Sequence, residues 1–145
     1  MIALDTNVLS ALMRAEPDAT VVAWLDGQPA ESIWTTAVTV FEIRAGIELL
    51  APSRRRRRLE SAFERLITEK LDGRVLSFDT TAADAAGNLA ARQQRAGRSI
   101  EIRDAQIAGI AVARRATLAT GNIRHFSDLG LRLVDPWLPV VPRRR

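Results

Sequence analysis

The chain has 145 residues, 47% hydrophobic and 26% charged, a length and balance that suit one domain with its own core. It contains no cysteine, which excludes disulfides, thiolate metal sites and a cysteine nucleophile and fits a reducing cytoplasm. Net charge is +4, three of it from Arg143–Arg145, and Lys70 is the only lysine, so the charge permits a nucleic-acid partner without demanding one.

Met1–Asp5 carries no basic stretch followed by a long apolar run, and no apolar segment approaches a membrane span. A cytoplasmic protein without a membrane partner is therefore expected. Ile2–Leu4 reads as a buried strand, ended by the helix-capping residues Asp5, Thr6 and Asn7. Val8, Leu9, Leu12 and Met13 then take a helical spacing, broken by Pro17. A second short helix spans Ala19–Leu25. Ser32–Thr36 is the next strand, favoured by Trp34 and its threonines.

Thr39–Leu50 is expected as a helix with Val40, Phe41, Ile43, Ile47 and Leu50 inward, and Thr39 to Glu42 has the spacing of a capping box. A long amphipathic helix follows over Arg54–Leu71, with Leu59, Phe63, Leu66 and Ile67 on one face. Val75–Phe78 is a third strand. Helices over Thr80–Ala96 and Ile102–Arg115 precede a fourth strand at Ala116–Thr120 and a fifth at Leu131–Val134. The region from about residue 136 to 145, rich in proline and arginine, is expected to run as an extended tail. Strands alternating with helices predict an α/β fold: a short, twisted parallel sheet of about four to five strands with helices on both faces.

Ligands of such sheets bind at the carboxyl ends of the strands. Asp5 follows the first strand. It reads equally well as a helix cap, although Asn7 can serve as the cap instead. Glu42 sits at the start of a helix, where the capping box is an alternative to a site role. Asp104 lies in an apolar helical stretch, where a carboxylate needs a cation, either a neighbouring arginine or a metal. Thr120-Gly121-Asn122 occupies, after the fourth strand, the place that Asp5 occupies after the first. Asn122 is a turn residue or an oxygen donor. Carboxylates converging without enough cations repel, and a divalent ion bound by hard oxygens, Mg²⁺ or Mn²⁺, relieves this. That chemistry serves phosphodiester hydrolysis.

Four blocks taken together resemble the PIN-domain signature: Ile2–Ser10, Thr36–Gly46, Arg103–Ala108 and Leu118–Phe126. The resemblance spans the chain and is greatest to VapC toxins and their FitB-like relatives. It implies a single PIN-like domain over residues 1–145 and an Mg²⁺- or Mn²⁺-dependent ribonuclease, the toxin of a type II toxin–antitoxin pair. It implies Asp5, Glu42 and Asp104 as metal-binding catalytic residues, Asn122 at the fourth acidic position, and Thr6, Asn7 and Thr120 in support. Implied partners are RNA, a VapB- or FitA-like antitoxin, operator DNA through that antitoxin, and a second copy of the chain. Asparagine at 122 departs from the acidic pattern, with Asp128 as a partial substitute, and keeps open a PIN module weakened in catalysis that only binds nucleic acid or antitoxin.

His125 is the only histidine and is expected to pack its loop with Phe126. Arg54–Arg58 reads as a solvated helix start or an RNA-binding stripe, and Trp24, Trp34 and Trp137 as core or interface residues. An aspartyl phosphatase would need Asp where Asn7 stands, and a dinucleotide-binding turn would need glycines that Asp5-Thr6-Asn7 lacks.

Overall fold

The computed structural model describes residues 1–138. Five parallel strands form one sheet: β1 (Ile2–Leu4), β2 (Ile33–Thr36), β3 (Val75–Leu76), β4 (Thr117–Ala119) and β5 (Leu133–Val134), in the order β3-β2-β1-β4-β5. Seven α-helices accompany it among the described residues: α1 (Thr6–Met13), α2 (Ala19–Asp26), α3 (Ala37–Glu48), α4 (Arg54–Arg65), α5 (Thr80–Arg95), α6 (Ile102–Arg114) and α7 (Ile123–Phe126). A 3₁₀ turn at Ala30–Ser32 leads into β2, and a π-helical turn at Leu66–Lys70 extends α4.

The strands are too short to alternate polar and apolar residues, because both faces are covered. Successive side chains instead supply two cores. Leu4 and Ala119 join Val8, Leu9, Val21, Trp24, Ile43, Ile47 and Phe63 on one side. Ala3 and Leu118 join Leu76, Leu89, Ile107, Ile110 and Phe126 on the other. The expected inward residues of the long fourth helix, Leu59, Phe63, Leu66 and Ile67, all pack into the first core.

Helix α3 departs from its expected start. It begins at Ala37, one turn's worth of capping is supplied by Thr36, and the Thr36 hydroxyl accepts from the Thr39 backbone N–H at 3.0 Å. Thr39 is therefore inside the helix, and the expected Thr39–Glu42 capping box does not form. The earlier start also sets which residues face the core. Val38, Thr39, Ile43 and Ile47 are buried, whereas Phe41 is 62% exposed.

Arg54–Arg58 forms the start of α4. Ser53 caps it, and the charge opposed to the helix dipole is partly offset where Arg56 meets Glu48 and Glu60 at 2.8 and 2.9 Å. The tail does not start extended at 136. Residues 136–138 turn back, with Pro136 buried and the Trp137 indole donating to Asp18 at 3.2 Å. The remainder of the expected tail, including Arg143–Arg145, lies outside the described residues.

Gly109 sets the closeness of α5 and α6. A Cβ there would come within 2.6 Å of the Ala82 carbonyl oxygen and of the Ala86 Cβ. This close crossing fixes the height of α6, and with it the position of Asp104 beside the sheet.

Candidate active site

The connections from β1 run toward β2 and β3 on one side, while β4 and β5 lie on the other. The strand order therefore reverses between β1 and β4, and a crevice opens beyond their carboxyl ends. Asp5 follows β1 there and Thr120 follows β4.

Asp5 caps α1 and also lines the cavity at the crevice, so capping does not exclude a site role. Its Oδ1 accepts from the Thr6 N–H at 2.8 Å, and its Oδ2 accepts from the Thr120 hydroxyl at 2.7 Å and the Asn7 amide at 3.2 Å. Only 5% of the residue is exposed. Burial pushes its carboxyl above the ordinary 3.8, against the pull of these three donors and of His125.

Asn7 does not compete for the cap. Its carbonyl oxygen accepts from the Gly121 N–H at 2.9 Å and its amide also reaches Thr120 at 3.3 Å, so it ties the two strand ends together. The Thr120 hydroxyl in turn accepts from the Asn122 N–H at 3.0 Å.

Glu42 projects from the second turn of α3, where its Oε1 accepts from the Thr6 hydroxyl at 3.1 Å. Its other oxygen lies 3.9 Å from Arg103 Nη1. Burial raises its pKa above 4.5, the Thr6 bond and Arg103 oppose the shift, and the Asp5 charge adds to it. Asp104 stands at the start of α6. Its partner is not an arginine but His125, whose Nδ1 is 3.2 Å from Oδ2. Its carboxyl too is raised, first by burial and further by repulsion from Asp5, with His125 opposing.

Asp5, Thr6, Asn7, Glu42, Asp104 and Asn122 all line one open cavity of about 420 Å³, with Thr120 buried beneath them. Asn122 makes no side-chain cap bond to α7, which leaves its amide facing no competing helix role. Asp128 is not part of the cavity and pairs instead with Arg98 at 3.5 Å.

Four features of the site were not assigned from sequence. His125 contacts a site carboxylate instead of merely packing its loop, because Phe126 alone fills the core below. Glu101 caps α6 by accepting from the N–H groups of Arg103 and Asp104, a pattern legible as Glu-x-x-Asp at a helix start only once that start is known. Arg103 bridges Glu101 and Glu42. Trp137 closes one wall of the cavity, and a Cβ at Gly121 would come within 2.8 Å of its ring.

The donor set is oxygen only, of the kind that hard divalent cations select. Among the described residues, Asp104 Oδ1 has no hydrogen-bond donor, and Glu42 Oε2 has only the distant Arg103. The Asp5 charge raises the pKa of both Glu42 and Asp104, so a cation placed among the three would be favoured. No three acidic or histidine side chains among the described residues already close round one ion position. The residues thus fit an ion that keeps several waters rather than one wholly caged by protein.

A family profile for the PIN domain matches residues 2–130. The chain belongs to the PIN-domain family. It is 41% identical over 137 residues to a plasmid stability protein, StbB, of Pseudomonas syringae pv. tomato, covering 94% of this chain and 99% of that one. It is 39% identical over 139 residues to the VapC ribonuclease Y4jK of Sinorhizobium fredii, covering 96% and 99%. Its fold superposes with a TM-score of 0.87 and 32% identity on a structure of FitAB bound to an IR36 DNA fragment, covering 99% of this chain and 100% of that one. The five-stranded parallel sheet described above is thus the PIN fold. Among the described residues, no helix is long and apolar enough to cross a membrane.

Proposed function

We propose that this chain is a ribonuclease that hydrolyses RNA phosphodiester bonds with Mg²⁺ or Mn²⁺, and that it is the toxin of a toxin–antitoxin pair acting in the cytoplasm. The observation that carries the reading is the gathering of Asp5, Glu42, Asp104 and Asn122 round one cavity at the strand-order reversal. Relatives named as a ribonuclease and a toxin support it.

Asp5, Glu42 and Asp104 would hold the ion, with Asn122 offering a neutral oxygen. Bound there, the ion supplies a Lewis acid for the phosphoryl group and lowers the pKa of water. The protein's part is positioning. Thr120, Thr6 and Asn7 favour the ionised form of Asp5 against its burial, Thr6 orients Glu42, and His125 orients Asp104. The products expected are 5′-phosphate and 3′-hydroxyl ends, with water rather than the ribose 2′-hydroxyl as nucleophile.

Beside Glu42 the cavity continues into an apolar groove of about 360 Å³ between α1, α3 and α4, lined by Ile43, Ile47, Leu50 and Leu59. This groove suits an antitoxin segment that buries apolar side chains and sets an arginine against the carboxylates. The structure of FitAB bound to an IR36 DNA fragment supports an antitoxin that carries the pair to operator DNA; a symmetric pair of copies of this chain would present two such antitoxins to it. Expression of the chain alone should arrest growth. Co-expression with the neighbouring small open reading frame should relieve the arrest and yield a co-eluting pair. Purified protein should cut RNA with Mn²⁺ and stop in excess chelator. Undiminished cutting in chelator, or cyclic phosphate ends, would overturn the mechanism.

The alternative, a PIN module that binds without cutting, is favoured only by Asn122 in place of an acid. It predicts RNA or antitoxin binding with no metal-dependent cleavage at any Mn²⁺ concentration.

A further inference from the structure

On the far side of Asp104 from Glu42, a second cavity of about 390 Å³ opens between the α5–α6 connection and α7. Asp104 lines both cavities, so the two adjoin at this side chain. The walls of the second include Arg98, Ser99, Glu101, Arg124 and His125.

Each of its three acids has a partner on at least one oxygen. Glu101 Oε2 accepts from the Arg103 and Asp104 N–H groups and its Oε1 from Arg103 Nε. Asp104 is held by His125, and Asp128 by Arg98. Arg124, by contrast, has no carboxylate within 4.0 Å among the described residues, although it lies in this wall two positions after Asn122. The Ser99 hydroxyl likewise has no hydrogen-bond partner among the described residues. The Arg98–Asp128 pair is more than half exposed on both sides, so a phosphate can compete for Arg98 at little cost. The trough leaving the carboxylates therefore has two unlike arms. One, past Glu42, is lined mainly by aliphatic side chains, with Ser10, Arg14 and Arg55 among them. The other, past Asp104, offers guanidinium and hydroxyl donors.

We propose that this second arm seats the phosphodiester backbone of the RNA flanking the scissile bond, with Arg124 as its main cation and Arg98 and Ser99 as further donors. The inference rests on the ribonuclease reading. A phosphate in this arm would be held by charge-assisted, forked hydrogen bonds from Arg124. Its contribution is to keep the strand in register, so that the neighbouring phosphate falls among Asp5, Glu42 and Asp104. The arm past Glu42 also carries Ser10, Arg14 and Arg55, but its lining is mostly apolar and suits a protein segment better than a polyanion.

The experiment uses Arg124→Gln, Arg98→Gln and, as a control for charge alone, Arg65→Gln in the last turn of α4, exposed and outside the cavities. Each is combined with Asp5→Asn so that RNA is bound and not cut. The probe is a fluorescein-labelled, single-stranded oligoribonucleotide of mixed sequence, followed by anisotropy across a salt series. Arg124→Gln should weaken binding several-fold and reduce the slope of log K against log salt by about 0.7. Arg65→Gln should do neither. In the otherwise unaltered chain, Arg124→Gln should raise KM for RNA more than it lowers kcat, and co-elution with the antitoxin should persist.

Equal binding and slope for Arg124→Gln and the control would overturn the proposal while leaving the ribonuclease reading intact. Loss of antitoxin co-elution in Arg124→Gln would also overturn it, by assigning this arm to the antitoxin. A chain with unaltered residues that neither binds nor cuts the probe in Mn²⁺ would remove the reading beneath it.

Discussion

Replacing Thr120 by valine tests the site at the point where its two strand ends meet. The residue is fully buried, and valine keeps its shape, so the substitution removes a hydroxyl and little else. That hydroxyl donates to Asp5 at 2.7 Å and accepts from Asn122 N–H at 3.0 Å and from the Asn7 amide at 3.3 Å. A hydrogen bond to a charged group contributes about 1.5–3 kcal/mol, and a stranded N–H that is partly buried costs about 1 kcal/mol more. The added methyl recovers at most about 0.8 kcal/mol. Thr120→Val should therefore destabilise the metal-free protein by about 2–3 kcal/mol in urea unfolding. The Thr120 bond is also the largest of the influences that hold down the Asp5 pKa. Without it the carboxyl is protonated to a higher pH, and the acid limb of the cleavage profile should move up. Thr120→Ser restores the hydroxyl and should return the acid limb to its place, with a smaller stability loss from the missing methyl. A loss below about 0.5 kcal/mol together with an unmoved acid limb would refute the hydroxyl's place in the site.

Asp5→Asn and Asp104→Asn should each abolish cleavage with the fold retained by circular dichroism, and Glu42→Gln should do the same, since glutamine still accepts from Thr6. All three carboxyls have pKa values raised in the folded chain, so the native state binds more protons than the unfolded one above the ordinary values of 3.8 and 4.5. Their combined contribution lowers metal-free stability as pH rises through that window, and the melting-temperature difference between the unaltered chain and Asp5→Asn should move in the variant's favour from pH 4 to neutrality; a difference that does not change with pH would contradict this. Asn122→Asp adds an anionic oxygen to the cavity and should tighten Mn²⁺ binding in calorimetry, whereas unchanged affinity would place the Asn122 side chain outside the ion's reach. Gly121→Ala puts a methyl within 2.8 Å of the Trp137 ring and should cost about 1–3 kcal/mol, most of it recovered in the double variant with Trp137→Leu. Full additivity in that cycle would mean the two residues do not press on each other.

The parallel α/β fold was legible because each strand is a short apolar run and each helix has its own period and stop. Asp5 and Thr120 were legible for the same reason, since both follow strands directly. What failed was phase. Thr36 and Thr39 are equally good caps in the sequence, and only the end of β2 at Thr36 decides between them. Choosing Thr39 produced a capping box for Glu42 that does not exist and turned Phe41 inward. The contacts of His125, Arg103 and Trp137 were out of reach for another reason. Each partner lies across a crevice from an element far away in the chain, as with Trp137 and Asp18, and no local pattern encodes such a meeting.

The misplaced helix start has a consequence for the chemistry. A glutamate at the third position of α3 would be spent on its own helix, reaching back to the cap N–H. With the cap at Thr36, Glu42 sits one turn further in, where its carboxylate has no helix end to satisfy and meets the Thr6 hydroxyl of α1 instead. Asp104 is similarly released, because Glu101 takes over the capping of α6. Asp5 is the exception, held by its own cap and buried most deeply of the three. The cluster therefore consists of one fixed carboxylate and two that are only lightly tethered. That division predicts unequal responses to the ion: on adding diamagnetic Mg²⁺, amide and side-chain resonances at Glu42 and Asp104 should shift more than the Asp5 N–H, which remains bonded to the Ala119 carbonyl at 2.9 Å. A larger rearrangement at Asp5 than at the other two would show that the ion is organised by α3 and α6, not by the strand ends.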